Sequence, residues 1–380
     1  MDYPDKLGVY RVGDLKFYSK LEAIEMHTKT GIYPQWDFNE AVFSSYNWTV
    51  EPEETILELY KQRAQQLRDQ YDYIALFWSG GADSETVRRA FNDNDIKLDE
   101  IVTYSNYEAT NDKTDLMNSE LFFRTIPQAT KLQQDYPYMK FRILDLSDLY
   151  LTNFDNNDTK FDWFYNMNMM FTPNHVVRDG IGLKVKEWAD MINKGKKFCL
   201  LWGIDKPRVF HDNNKFSFKF LDMVDLGPKV KSMAGLEPYT DELFFWTPDK
   251  PEIAIKQGHM IKNYLNANLT TSPFISKKSS QLAYKTVNGV KYWLNNHGVH
   301  TVVYPQWDIT TFDAGKPPST VFSPRDNWFF NLEESNYAKK MWSMGVEYLH
   351  KRTPDYWKND PTDISRGLKG CWSKEYFLEK

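Results

Sequence analysis

Short apolar runs alternate with amphipathic stretches through the middle of the chain. Tyr73–Trp78, Glu100–Tyr104, Phe141–Leu146 and Lys197–Trp202 are short and bounded by polar or glycine-rich turns, a pattern that predicts buried strands. Between them, Ser84–Asn92 carries Val87, Ala90 and Phe91 on one helical face. Leu116–Asp135 reads as mostly helical with a break at Pro127. Val176–Lys194 contains a helix with Val185, Trp188, Ala189 and Ile192 on one stripe. Strands separated by helices imply right-handed crossovers and a parallel sheet.

The flanks read differently. Gly8–Phe17 predicts two strands around the turn Val12-Gly13-Asp14, and Ser19–Lys29 a helix. In Glu54–Gln70, Ile56, Tyr60, Ala64 and Leu67 fall on one stripe with charge opposite, as in a helix lying on a core. After about residue 230 the pattern loosens. Thr247-Pro248-Asp249-Lys250-Pro251 looks like a helix start, with Pro251 in the first turn. It predicts a helix over Ile253–Leu265, and a longer one is expected over Phe329–Lys351. The expected division is an α+β extension over 1–70, an α/β domain over 71–230, and a mainly helical region over 231–380 that completes a substrate pocket.

Tyr33-Pro34-Gln35-Trp36-Asp37 recurs as Tyr304-Pro305-Gln306-Trp307-Asp308, with unlike flanks. Two structural corners would explain it; so would a shared aromatic wall of a pocket.

The chemistry concentrates in Ser79-Gly80-Gly81-Ala82-Asp83-Ser84, between a predicted strand and a predicted helix. Glycine lets the backbone turn tightly and approach a phosphate. The amides and dipole of the helix start attract an anion. Ser79 and Ser84 can donate hydroxyl hydrogen bonds to phosphate oxygens. Asp83 would repel phosphate, so it fits a helix cap or a partner for Mg²⁺. The loop is neither a Walker A sequence, which needs Gly-Lys-Ser/Thr, nor Gly-x-Gly-x-x-Gly.

This hexapeptide resembles the Ser-Gly-Gly-x-Asp-Ser signature of the PP-loop ATP pyrophosphatase superfamily, which includes asparagine and NAD synthetases. As a pattern the resemblance spans about residues 71–210, with the loop its specific match. It implies a Rossmann-like sheet of five parallel strands with helices on both faces. It also implies cleavage of ATP to AMP and pyrophosphate, with Ser79, Gly80, Gly81, Asp83 and Ser84 holding the pyrophosphate portion. Thr103 and Tyr104, at a strand end, would lie along the adenine. A second segment, Trp202-Gly203-Ile204-Asp205-Lys206-Pro207-Arg208, follows the fourth predicted strand. Gly203 and Asp205 loosely resemble a turn of asparagine synthetases. Lys206 and Arg208 suit the β- and γ-phosphates, and Asp205, like Asp83, could hold Mg²⁺. A charged turn ended by proline is the plain alternative. His175, Arg178, Lys250, Lys256 and His259 are weaker candidates.

Composition narrows the chemistry. The formal charge of −5 speaks against a nonspecific nucleic-acid binder. The two cysteines, Cys199 and Cys371, are too few for a disulfide framework or a four-cysteine zinc site, and they fit poorly with cysteine-dependent thiolation. No apolar run approaches the ~20 residues of a membrane span, and the first residues lack the order of a signal peptide. A cytoplasmic enzyme is expected. Asp2 leaves no N-terminal cysteine glutaminase, so an amine or ammonia donor would come from elsewhere. The expected protein is an ATP- and Mg²⁺-dependent ligase or amidating enzyme that adenylates an oxygen of a small molecule; a homo-oligomer is compatible with this. The alternatives are a non-catalytic adenine-nucleotide sensor and a PP-loop enzyme that modifies a nucleobase or nucleic acid.

Overall fold

The computed structural model describes residues 6–116, 118–149, 185–204, 206–222, 241–267, 281–288, 290–307, 327–331, 336–356 and 368–380. Asp205, His175 and Arg178 lie outside them. The described part opens with β1 (Val9–Val12), β2 (Leu15–Phe17), α1 (Lys20–Thr30) and β3 (Gln35–Asp37). These strands form an antiparallel sheet in the order β2-β1-β3. β3 was not expected as a strand. It is the last three residues of the first copy of the repeated pentapeptide, drawn into the sheet by Trp36, which is buried against Tyr10.

Next comes α2 (Ile56–Gln70), started by a capping box in which Thr55 and Glu58 satisfy each other's backbone amides. The expected stripe is the buried one: Ile56, Tyr60, Ala64 and Leu67, joined by Leu59 and Arg63.

The central unit has the α/β fold anticipated from the alternation. Its strands are β4 (Tyr73–Phe77), β5 (Glu100–Ser105), β6 (Lys140–Asp145), β7 (Phe198–Trp202) and β10 (Asp241–Leu243). They form one all-parallel, Rossmann-like sheet in the order β10-β7-β4-β5-β6. The intervening helices are α3 (Ala82–Asn92), α4 (Ile126–Asp135) and α5 (Lys186–Asn193). The central strands read as apolar runs because they are covered on both sides: β7 is buried at every position.

Two local expectations are corrected. Pro127 does not break the helical stretch. It sits in the first turn of α4, directly after a π-helical turn over Leu121–Thr125, where its missing N–H costs little. The fifth strand was hidden because its residues, Asp241-Glu242-Leu243, are mostly acidic. They are nevertheless buried, Glu242 against the guanidinium of Arg63 at 2.8 Å.

A second sheet joins β8 (Val209–Asp212) and β9 (Lys215–Phe218) to β11 (Gln281–Val287), β12 (Val290–Asn295) and β13 (Tyr376–Phe377), in the order β12-β11-β8-β9-β13. The region after residue 230 thus supplies strands to both five-stranded sheets, as well as helices α6 (Glu252–Ala267), α7 (Asn296–Val303) and α8 (Asn336–Arg352). The long helix expected over Phe329–Lys351 is described as α8 and a short helix over Asn327–Asn331. Among the described residues no helix is long and apolar enough to cross a membrane.

The chain leaves β4 toward β5 and β6 on one side, then returns to place β7 and β10 on the other. The carboxyl ends of β4 and β7 therefore flank the switch point, where connecting segments diverge and leave a crevice.

Candidate functional site

Phe77 and Trp202 end β4 and β7 in register, and their rings stack 3.9 Å apart at 7°. Past them the two segments singled out in the sequence face each other. From Ser79 the chain makes its turn at Gly80, whose φ of 75° is left-handed and favours glycine. A Cβ there would also come within 2.7 Å of Gln128 Oε1. The π-turn buttresses the loop from behind: Thr125 Oγ1 donates to the Ser79 carbonyl at 3.0 Å.

Gly81 is the N-cap of α3 and carries no side-chain cap. The amides of Ala82, Asp83 and Ser84 therefore begin the helix without intrahelical acceptors. The serines brace the loop. Ser84 Oγ accepts from the Ser79 amide at 3.2 Å and donates to the Gly81 carbonyl at 3.3 Å. Ser79 Oγ accepts from the Gly81 amide at 3.3 Å, which leaves its hydroxyl hydrogen for an acceptor in the cleft.

Asp83 is not a cap, contrary to one expectation. It stands at the second helical position, where its side chain leaves the axis sideways. Oδ2 accepts from Lys206 Nζ at 2.7 Å, and Oδ1 from the Tyr304 hydroxyl at 2.5 Å. Burial pushes its carboxyl pKa up. The charges of Lys206 and His300, with the hydrogen bonds from Lys206 and Tyr304, outweigh burial and hold it below the usual 3.8.

Gly203 is explained by packing. A Cβ on it would lie 3.1 Å from the Asp83 carbonyl carbon and 3.2 Å from the Ser84 nitrogen. The end of β7 can rest on the loop backbone only without a side chain.

Together these residues wall a cleft enclosing about 840 Å³, part of it open to solvent. Ser79, Gly81, Asp83, Ser84, Thr103, Tyr104 and Gly203 line it, and Gly80 forms the turn between two of them. Phe77, Trp78, Val102, Leu121, Trp202 and Ile204 add apolar walls, and Glu120 and Thr125 come from the helical segment.

Trp202 is oriented from below: its indole N–H donates to Asp241 Oδ1 at 2.7 Å. Burial pushes the Asp241 carboxyl well up, and neighbouring Glu242 adds to the shift, while the Trp202 hydrogen bond opposes it. Its other oxygen is buried with no hydrogen-bond partner among the described residues, an environment that disfavours the charged form.

The remaining candidates separate from this cleft. Arg208 is buried just before β8, where the chain enters the second sheet, and neither it nor Lys206 lines the cleft directly; Lys206 is joined to the cleft through Asp83. Lys256 pairs with Glu51 at 2.8 Å and Lys250 with Glu252 at 3.6 Å. His259 is packed against the Trp48 carbonyl, with burial holding its pKa below the usual range. These are ties between elements.

In the sequence Tyr304 stands out only as part of the repeat. It does not line the cleft, and the two copies do not form a shared aromatic wall; Tyr304 reaches the site only by its hydroxyl on Asp83. The first copy behaves otherwise: Tyr33 is 75% exposed. The walls Glu120, Leu121 and Thr125 had no local signal beyond a helical pattern.

Among the described residues no three His, Cys, Asp or Glu side chains gather as a metal site. A hard divalent cation such as Mg²⁺ takes only one or two protein carboxylates, with phosphate oxygens and water completing its shell. Asp83, oxygen-bearing and on the cleft wall, fits that requirement. The sequence matches no protein-family model and no curated protein.

Proposed function

We propose that the cleft binds ATP and uses it to adenylate an oxygen of a small-molecule substrate. The observation that carries this reading is the meeting, at the switch point of a parallel sheet, of an uncapped glycine loop with Lys206, held 2.7 Å from that loop's aspartate. Helix-start amides beside an aspartate that holds a lysine suit a polyphosphate. The apolar walls from Phe77 to Ile204 suit a flat base.

In the reaction, a substrate oxygen attacks the α-phosphorus, the bond to the oxygen bridging the α- and β-phosphates breaks, and pyrophosphate leaves with that electron pair. An amine or ammonia then attacks the activated carbon, and AMP departs with the substrate oxygen. The chain's contribution is positioning and electrostatics. Gly80 sets the turn that aims the amides of Ala82, Asp83 and Ser84. The Ser79 hydroxyl donates to phosphate, and Lys206 stabilises the negative charge that builds on the leaving group. Mg²⁺ bound at Asp83 with the phosphates would neutralise further charge there.

The test is release of pyrophosphate and AMP from Mg-ATP, with and without panels of carboxylate and amide acceptors and ammonium. AMP formation that depends on an acceptor supports the reading. Tight ATP binding without AMP under every condition would replace it with a nucleotide sensor.

A further inference from the structure

Asp83 stands on the wall of a cleft built for anions, with both oxygens occupied by protein donors, Lys206 on one and Tyr304 on the other. Tyr304 comes from the far end of the chain and is 1% exposed. Its turn is held from several sides. The Tyr60 hydroxyl of α2 donates to the Val303 carbonyl at 2.9 Å, and Arg89 of α3 donates to the Gln306 carbonyl at 2.9 Å. The ring packs 5.5 Å from that of Phe245. The phenol is thus a fixed donor, whereas Lys206 reaches Asp83 on a flexible stem. The Lys206 and Asp83 side chains keep 19% and 26% of their exposure, so the pair is open to exchange.

A polyanion entering this cleft meets an aspartate, and a lysine whose charge that aspartate already uses. Recruiting Lys206 strips Asp83 of its cation in a half-enclosed place, which is costly. A cation arriving with the ligand removes the cost by replacing Lys206 at Asp83.

We propose that Tyr304 is a positioning residue that pins Asp83, so that ligand binding proceeds by charge exchange: Lys206 passes from Asp83 to phosphate as a divalent cation takes its place. The site then selects metal-complexed polyphosphate and disfavours the bare anion. This rests on the nucleotide reading above and adds to it a selection rule and a residue from the C-terminal region.

The experiment is calorimetric titration of the full chain with inorganic pyrophosphate, in EDTA and in excess Mg²⁺. The wild type should bind the Mg²⁺ complex at least about tenfold tighter than the bare anion, the scale of one charge-assisted contact. Asp83→Asn should bring the two affinities nearly together, chiefly by tightening the bare anion. Lys206→Met should widen the gap, because the bare anion then meets an Asp83 charge that no lysine offsets, while a divalent cation can still take that place. Tyr304→Phe should narrow it about threefold or more, while Tyr33→Phe, in the exposed copy, should leave it as in the wild type. A wild-type chain that binds both forms equally, an unchanged gap in Tyr304→Phe, or equal weakening of both forms in Asp83→Asn overturns the exchange and leaves the ATP reading standing. Absence of pyrophosphate binding in all chains with and without Mg²⁺ overturns both. Lys206→Met and Tyr304→Phe probe the same exchange from opposite oxygens, so a folding defect in one leaves the other decisive.

Discussion

Two lysine–aspartate pairs in this molecule have nearly the same geometry and opposite surroundings. Lys20 and Asp222 meet at 2.6 Å with neither side chain exposed. Every polar atom there is used. Asp222 also accepts from the Tyr10 hydroxyl at 3.1 Å and the Cys371 amide at 2.8 Å, and Lys20 donates to the Lys369 carbonyl at 2.5 Å. The pair stitches α1, β1 and the C-terminal segment together. Lys206 and Asp83 meet at 2.7 Å on the wall of a cleft and stay partly exposed. The first pair is sealed by its surroundings; the second is partly open to solvent. Enclosure, more than distance, separates an architectural ion pair from one available for chemistry.

Breaking the enclosed pair should have the largest effect. Lys20→Met leaves Asp222 buried without its cation and should cost about 3–5 kcal/mol, read from urea unfolding. A loss below about 1 kcal/mol would mean water reaches the pair, and the contrast would fail.

Asp241 sharpens the comparison as a buried carboxyl with no cation among the described residues beside it. Its folded pKa lies above the ordinary 3.8. The folded state therefore holds the proton more tightly than the unfolded chain. The associated stability is fully present below about pH 4 and is lost as pH rises toward the folded pKa. Relative to Asp241→Asn, the wild type should lose stability as pH rises above about 4, by up to about 1.4 kcal/mol per pH unit until the folded pKa is passed. Parallel stability curves for the two chains would show that Asp241 is ionised after all.

Gly203→Ala tests how closely the second pair's backbone is packed. The new methyl would press on the Asp83 carbonyl at about 3.1 Å, so a loss of about 1–3 kcal/mol is expected. ATP binding should weaken with it, because the loop must shift. Unchanged ATP affinity would mean that loop geometry does not set binding.

Lys206→Met should barely change stability, by about 1 kcal/mol or less, since the pair is partly solvated. Its effect should fall on ATP affinity instead, about tenfold or more. A stability loss matching that of Lys20→Met would erase the distinction between the pairs. The smallest effect is expected for Tyr33→Phe, within about 0.5 kcal/mol, measured by thermal melting beside Tyr304→Phe.

Legibility along the chain followed the range of the forces involved. The strands of Tyr73–Phe77 and Phe198–Trp202 and the helix of Ile56–Gln70 were readable because burial on a regular element leaves its period in the residues themselves. β10 was not, because Glu242 is buried against Arg63 and Lys6, and Asp241 against the Trp202 indole, all far away in the chain. The pentapeptide shows the limit most plainly. Identical residues lead from an exposed Tyr33 into an edge strand in one place and make a largely exposed turn with only Tyr304 buried, on Asp83, in the other. Arg208, close to Lys206 in sequence, is buried just before the chain enters the second sheet at Val209.

What the sequence by itself determined is local: the alternation of strand and helix, the glycine turn that opens α3, and the basic residue waiting after β7. Each follows from backbone sterics and hydrophobic period, which act over a few residues. Only the tertiary structure decided which residues share the cleft, that Tyr304 pins Asp83, and that one lysine–aspartate pair is sealed while the other is open. Those outcomes depend on burial and on partners more than a hundred residues away, which packing brings together and neighbouring residues do not encode.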